Sequence, residues 1–249
     1  MLTKSQIKLI RSLEHKKYRD EYSLFVAEGT KVVMEFLKNK WDPHFIVCTE
    51  NWANSHLFHR KTLLADIETI KKISFLKTPS EVIAVFHKKN EPLNTNFESS
   101  LGLALDEIQD AGNVGTIIRI ALWFNLDYVV LSKGCADIYS PKVVQSSMGA
   151  LSKMKCFSLN LDDFLLKYHK SVPVYGTYLE GASLYKTKLT SNGIILLGNE
   201  GKGISPNLEK YVKYKLYIPS FPINAKQIDS INVAIAAGII CYEFRRFLI

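Results

Sequence analysis

Cysteine is scarce: Cys48, Cys135, Cys156 and Cys241 are the four in 249 residues. None forms a C-x-x-C pair, and their separations exclude both a zinc module and a dense disulfide framework. They read as reduced, buried thiols of a cytoplasmic protein. Long apolar runs are missing too. The longest, Val233 to Tyr242, covers about half of a membrane span and predicts a core helix, with no membrane partner. Charges interrupt every apolar step near the N-terminus, so no secretory signal is expected. No G-x-G-x-x-G turn follows a strand, which argues against NAD, and no G-x-x-x-x-G-K-[ST] loop occurs. Acidic residues are outnumbered 24 to 32 by Lys and Arg, giving a formal charge of +8. That surplus points to a polyanionic partner.

The basic excess is sharpest over residues 1–19, where Lys4, Lys8, Arg11, Lys16, Lys17 and Arg19 face one acid, Glu14. Ile7, Leu9, Ile10 and Leu13 recur with a loose helical period, predicting one basic amphipathic helix. Strands are expected near 22–29, 45–48 and 82–86, helices over 31–37 and within 67–76. Together they suggest a small α/β domain over residues 1–90. Residues 88–100 are polar and aperiodic, and 91–100 read as a linker. From 101 to 249 the units lengthen. Apolar strands near 101–106, 128–131, 154–159, 172–178, 194–197 and 215–218 alternate with helices, among them 114–124, 141–148, 162–168 and 230–247. This pattern predicts a parallel sheet covered on both faces, with ligands beyond the carboxyl ends of its strands.

Three segments carry candidate chemistry. After strand 101–106 comes a turn with Asn113, placed to cap the following helix, and Arg119 on that helix. After strand 194–197 comes Gly198-Asn199-Glu200-Gly201-Lys202-Gly203, whose three glycines let backbone approach a ligand closely. After strand 215–218 comes Pro219, then Ser230-Ile231-Asn232 at a helix start, with Ser230 as the expected N-cap. By themselves these segments describe an α/β enzyme with glycine-rich ligand loops. They leave the ligand open.

In order, N-x-G-x-x-x-R (Asn113, Gly115, Arg119), L-G-N-E-G-x-G (Leu197 to Gly203) and I-P…S-I-N-V-A (Ile218, Pro219, Ser230 to Ala234) resemble the three motifs of the SpoU/TrmH RNA ribose 2′-O-methyltransferases. Ser140-Pro-Lys-Val-Val-Gln145-Ser-Ser-Met-Gly-Ala150 resembles another segment of that family. The N-terminal region, with Lys8, Leu13, Lys17, Arg19, Phe25, Glu28 and Gly29, resembles its L30e-like substrate-binding domain. Motif three departs from the pattern through a longer connection to Ser230, and Gln145 stands where arginine is frequent.

The resemblance implies a SPOUT methyltransferase domain with a deep trefoil knot, S-adenosylmethionine as cofactor, no metal, and a homodimer acting on structured tRNA or rRNA. It implies cofactor contacts from Thr177, Leu197, Gly198, Asn199, Glu200, Ile218, Ile231 and Asn232. Asn113, Arg119, Glu200, Ser230 and Asn232 would line the reactive side. Lys8, Lys16, Lys17, Arg19 and Lys142 are the expected RNA contacts. A guanidinium stays protonated near neutral pH, which suits Arg119 to orienting the ribose or an adjacent phosphate, and to stabilising a nascent alkoxide, more than to acting as base. The alternatives are a non-catalytic RNA-binding protein that retains this fold and a small-molecule nucleotide enzyme.

Overall fold

The computed structural model describes residues 2–56, 61–89, 93, 95–222 and 229–246. The chain forms two compact units, Met1–Asn90 with Asp137–Lys153, and Glu91–Ala136 with Met154–Ile249.

In the first unit the basic N-terminal stretch is two helices, α1 (Lys4–Ser12) and α2 (Lys16–Tyr22), where a single one was expected. Thr3 and Gln6 form a capping box that starts α1. They are followed by β1 (Leu24–Glu28), α3 (Thr30–Lys38), β2 (Pro43–Cys48), α4 (Glu50–Ser55), β3 (Thr62–Leu64), α5 (Ile67–Ile73) and β4 (Val82–His87). The sheet runs β1-β4-β2-β3, antiparallel except for the β2/β3 pair. Alternation along the strands sorts two cores. Leu24, Val26, Phe45, Val47, Ile83 and Val85 pack with Ile10 and Leu13 of the N-terminal stretch and with Ile70 and Ile73 of α5. On the other face Phe25, Phe36, Trp41 and Phe86 form an aromatic cluster.

The second unit is built on six parallel strands. They are β5 (Leu101–Leu105), β6 (Tyr128–Leu131), β7 (Cys156–Ser158), β8 (Val174–Ser183), β9 (Gly193–Leu197) and β10 (Tyr214–Tyr217), in the order β10-β8-β9-β5-β6-β7. Helix α6 (Ala111–Trp123) joins β5 to β6, α8 (Leu161–Tyr168) joins β7 to β8, and the short α9 (Pro206–Glu209) lies between β9 and β10. Helix α10 (Val233–Arg245) packs on α6. Gly238 lies at this contact, where a Cβ would meet Ile120 at an ordinary 3.8 Å. Phe97, which the polar linker gave no reason to single out, is buried against Tyr128, Phe164 and Tyr168.

Helix α7 (Pro141–Ser146) belongs to the first unit, although its sequence lies between β6 and β7. The sequence reading grouped it with the rest of 101–249. Arg19 binds Asp137 through Nε and Nη2 at 2.9 and 2.7 Å. Tyr139 packs on Phe25 with ring centroids 4.8 Å apart. Trp41 Nε1 donates to the Ser152 carbonyl at 3.0 Å, and Lys153 pairs with Glu35 at 3.0 Å.

Candidate functional site

Strands β5 and β9 are neighbours in register, Leu105 opposite Leu197, so the segments that leave their carboxyl ends emerge side by side. The turn after β5 is held by Asp106, which is 3% exposed. Its carboxylate accepts the Ser205 amide at 2.7 Å, tying the turn to the far side of the glycine-rich loop. Glu107 adopts a left-handed backbone, φ +53°. Its carbonyl accepts from Asn199 Nδ2 at 2.8 Å.

The loop is closed on itself. Asn199 and Gly203 exchange both backbone hydrogen bonds at 2.9 Å, and Asn199 Oδ1 accepts the amides of Gly201 and Lys202. A Cβ on Gly198 would sit 2.3 Å from the Gly203 carbonyl carbon, so glycine is required there. Glu200, within this closed loop, is exposed.

Asn113 meets it. Asn113 Nδ2 donates to Glu200 Oε1 at 2.8 Å, and Asn232 Nδ2 donates to Asn113 Oδ1 at 3.0 Å. The three motifs are thereby joined by one side-chain relay. Two capping expectations are corrected. Helix α6 is capped by Asp110, which accepts the Asn113 amide at 2.8 Å, so the Asn113 side chain is spent on the relay. Helix α10 is capped by Asn232, whose Oδ1 accepts from Ala234 and Ile235, and Ser230 lies two residues before the cap, exposed. An Asn amide serves both uses because its oxygen caps while its nitrogen donates.

The remaining expected residues surround this relay unevenly. Thr177 Oγ1 donates to the Leu196 carbonyl at 3.2 Å, fixing β8 beside the end of β9. Leu197 is buried, Ile218 half-buried, and Ile231 is 41% exposed. Arg119 is exposed and six residues beyond Asn113 on α6, about a third of a turn off the Asn113 face. It makes no hydrogen bond or ion pair with any described residue. The structure therefore does not join it to Asn113 and Glu200 within one chain.

The expected RNA contacts divide as well. Lys8, Lys16, Lys17 and Lys142 are all exposed, Lys16 within reach of Asp20. Arg19 is corrected: it is 3% exposed, and all its nitrogens serve Asp137 and the carbonyls of Leu13 and Glu14. A guanidinium so engaged is a structural clamp and cannot reach a phosphate. The cysteines are free, and burial pushes the Cys48 thiol up to about 11 and the Cys241 thiol up to about 12. Neither is a nucleophile near neutral pH. Among the described residues, no group of three or more His, Cys, Asp or Glu could hold a metal, and no helix is long and apolar enough to cross a membrane.

Comparison with known proteins agrees with this geometry. Residues 100–242 match the SpoU rRNA Methylase family, and residues 4–84 match the MRM3-like substrate binding domain. The chain is 31% identical to the 23S rRNA (guanosine(2553)-2′-O)-methyltransferase RlmP of Bacillus subtilis, over 96% of each chain. It superposes on a TrmH-family RNA methyltransferase from Porphyromonas gingivalis with a TM-score of 0.88 and 39% identity, over 99% of both chains. An AdoMet-bound rRNA methyltransferase from Sinorhizobium meliloti gives 0.87 at 30% identity, covering 100% of this chain and 97% of that one. The chain belongs to the SpoU rRNA methylase family and is an RNA 2′-O-ribose methyltransferase.

Proposed function

We propose that the chain transfers a methyl group from S-adenosylmethionine to a ribose 2′-hydroxyl of ribosomal RNA, as a cytoplasmic homodimer. The observation that carries this reading is the Asn232–Asn113–Glu200 relay, which gathers three distant segments at the carboxyl ends of β5 and β9. The named substrate of the Bacillus subtilis relative favours ribosomal over transfer RNA.

The residues present suit the cofactor. Half-exposed Ile218 and Ile231 offer apolar walls, and the glycine loop offers exposed backbone at Gly201 to Gly203. Thr177 and Leu197 to Asn199 complete the proposed contacts. When bound, the cofactor supplies an electrophilic sulfonium methyl. The chain's part is to orient the acceptor. Glu200 and Asn113 present a fixed acceptor and donor set, and Asn232 locks Asn113 in place. The Arg119 guanidinium holds the hydroxyl oxygen or its phosphate and stabilises the charge that develops as the proton leaves. Alignment of the reacting atoms supplies the rest of the rate gain, and no metal is required.

Three exposed apolar side chains support the dimer: Trp123 at 82%, Ile235 at 59% and Tyr242 at 50%, all on the α6/α10 pair. Arg119 shares the exposed stripe of α6 with Trp123, so pairing across it would seat Arg119 at the seam between two chains. The first unit would capture RNA through phosphates at Lys8, Lys16, Lys17 and Lys142. The reading retains the trefoil knot for the second unit, with the first unit, residues 1–90 and 137–153, as the substrate-binding part and the second as the catalytic part.

The test is incubation with methyl-labelled S-adenosylmethionine and separated ribosomal and transfer RNA from cells lacking this protein. Label recovered as a 2′-O-methyl nucleoside from ribosomal RNA is the expected result. Label confined to transfer RNA would overturn the substrate assignment, and no label in either would overturn the reaction.

A further inference from the structure

Beyond the relay, the second unit carries a basic strip that the chemistry above does not use. Lys210, Lys213 and Lys215 fall within Lys-Tyr-Val-Lys-Tyr-Lys at and before β10, and Lys167 lies in the last turn of α8. The two stretches touch: the His169 and Tyr211 rings lie 4.9 Å apart, and Lys210 approaches Asp162 of α8 at 3.5 Å.

Every one of these ammonium groups lies over an aromatic ring. Lys167 sits 5.1 Å from the Tyr168 centroid, Lys210 4.8 Å from Tyr211, Lys213 5.4 Å from Tyr214, and Lys215 4.6 Å from Tyr178. Their ion pairs are loose: Lys210–Asp162 at 3.5 Å and Lys215–Glu209 at 3.9 Å, beyond the range of a strong charge-assisted bond. Lysines on an edge strand commonly block strand addition, and β10 is an edge. That role explains the charge but not a ring beneath each charge.

Lys215 lies in β10, and Lys213 stands two residues earlier, just ahead of the strand, where its amide still bonds the Val174 carbonyl of β8 at 2.9 Å. The strand then runs into Ile218, a proposed wall of the cofactor site. An RNA strand laid along β10 would meet one cation after another and be delivered at the carboxyl ends, where the reaction takes place. We propose that the β10 edge is a second RNA-backbone grip, on the methylase unit itself, that guides a single-stranded segment to the site. This deepens the RNA methylation reading and rests on it.

The experiment uses the full chain and a variant with Lys210→Gln, Lys213→Gln and Lys215→Gln together. Binding of a fluorescein-labelled oligouridylate is followed by anisotropy across a salt series. The triple variant should lose about tenfold in affinity, and its log K against log salt slope should shrink by about 2, given about 0.7 per phosphate contact on single strands. The matching Lys→Arg triple variant should bind as the parent does. Thermal melting and cofactor binding, measured on the same samples, show that the fold is kept, and Lys213→Gln alone serves if the triple variant is unstable. Unchanged affinity and slope in a folded variant would overturn the grip. If the parent protein still methylates RNA in that case, the methylation reading stands while the grip falls.

Discussion

Asn113 and Glu200 stand 87 residues apart in the chain and 2.8 Å apart in the fold, amide nitrogen to carboxylate oxygen. The pairing has a direction, since only the amide can donate. Replacing Asn113 by Asp sets two carboxylates against each other, and a hydrogen bond between them returns only when one is protonated. Asn113→Asp should cut kcat at least tenfold at neutral pH and recover part of it as pH falls and the shared proton returns. Asn113→Ala should be impaired at every pH. Parallel pH–rate profiles for the two variants would refute the role given to this hydrogen bond.

Arg119 is solvent-exposed, so its loss should leave the melting temperature within about 2 °C of the parent, the scale of a neutral surface change. Methyl transfer by Arg119→Ala should nonetheless drop at least about 100-fold. Arg119→Lys should restore little, because an ammonium lacks the planar fork. Near-normal turnover by the alanine variant would remove Arg119 from the reaction.

Asp106 acts through the Ser205 amide. Asp106→Ala leaves that donor without its acceptor, a cost of about 1–3 kcal/mol that falls on the glycine loop. The expected result is weaker S-adenosylmethionine binding by calorimetry, with Asp106→Asn, which keeps an acceptor oxygen, closer to the parent. Equal weakening in both would mean that the charge matters and the hydrogen bond does not.

Arg19→Ala removes the buried half of the pair and leaves Asp137, 15% exposed, with the Tyr139 amide but no counter-charge. It should cost about 3–5 kcal/mol in urea unfolding. A variant of unchanged stability but weaker RNA binding would return Arg19 to the phosphate-contacting set.

The chain should sediment at twice its 28.3 kDa mass, and Trp123→Glu with Ile235→Glu should halve that value. A monomeric parent at micromolar concentration would exclude the dimer across α6 and α10.

The centre of the second unit was legible because β5, β6 and β9 are short apolar runs buried on both faces. Leu101–Leu105 and Gly193–Leu197 are buried throughout, and such runs read the same with or without a partner in view. Asn113, Glu200 and Asn232 were legible as motif residues. The family resemblance also put them on one side of the site; the hydrogen bonds that link them were not legible, because they depend on β9 entering the sheet next to β5, which local sequence does not encode.

The cap assignments failed for a simple reason. Asp110 and Asn113, or Ser230 and Asn232, are each two good capping types a few residues apart, and only the position of the first helical turn chooses between them. Arg19 was misread because its counter-charge lies 118 residues away. Within a run of six basic residues and one acid, nothing nearby marks it as different.

That 118-residue interval bears on how the protein is made. A chain still emerging from the ribosome with only its first ninety or so residues exposed has the β1–β4 sheet sequence complete, yet Arg19 has no anion to meet and Phe25 no Tyr139. The first unit reaches its final form only after β5, α6 and β6 have been synthesised as well. Evolution can therefore not exchange this N-terminal module by cutting at the linker alone. A transplanted copy must bring the excursion through α7 with it, or replace Arg19 with a residue that needs no counter-charge.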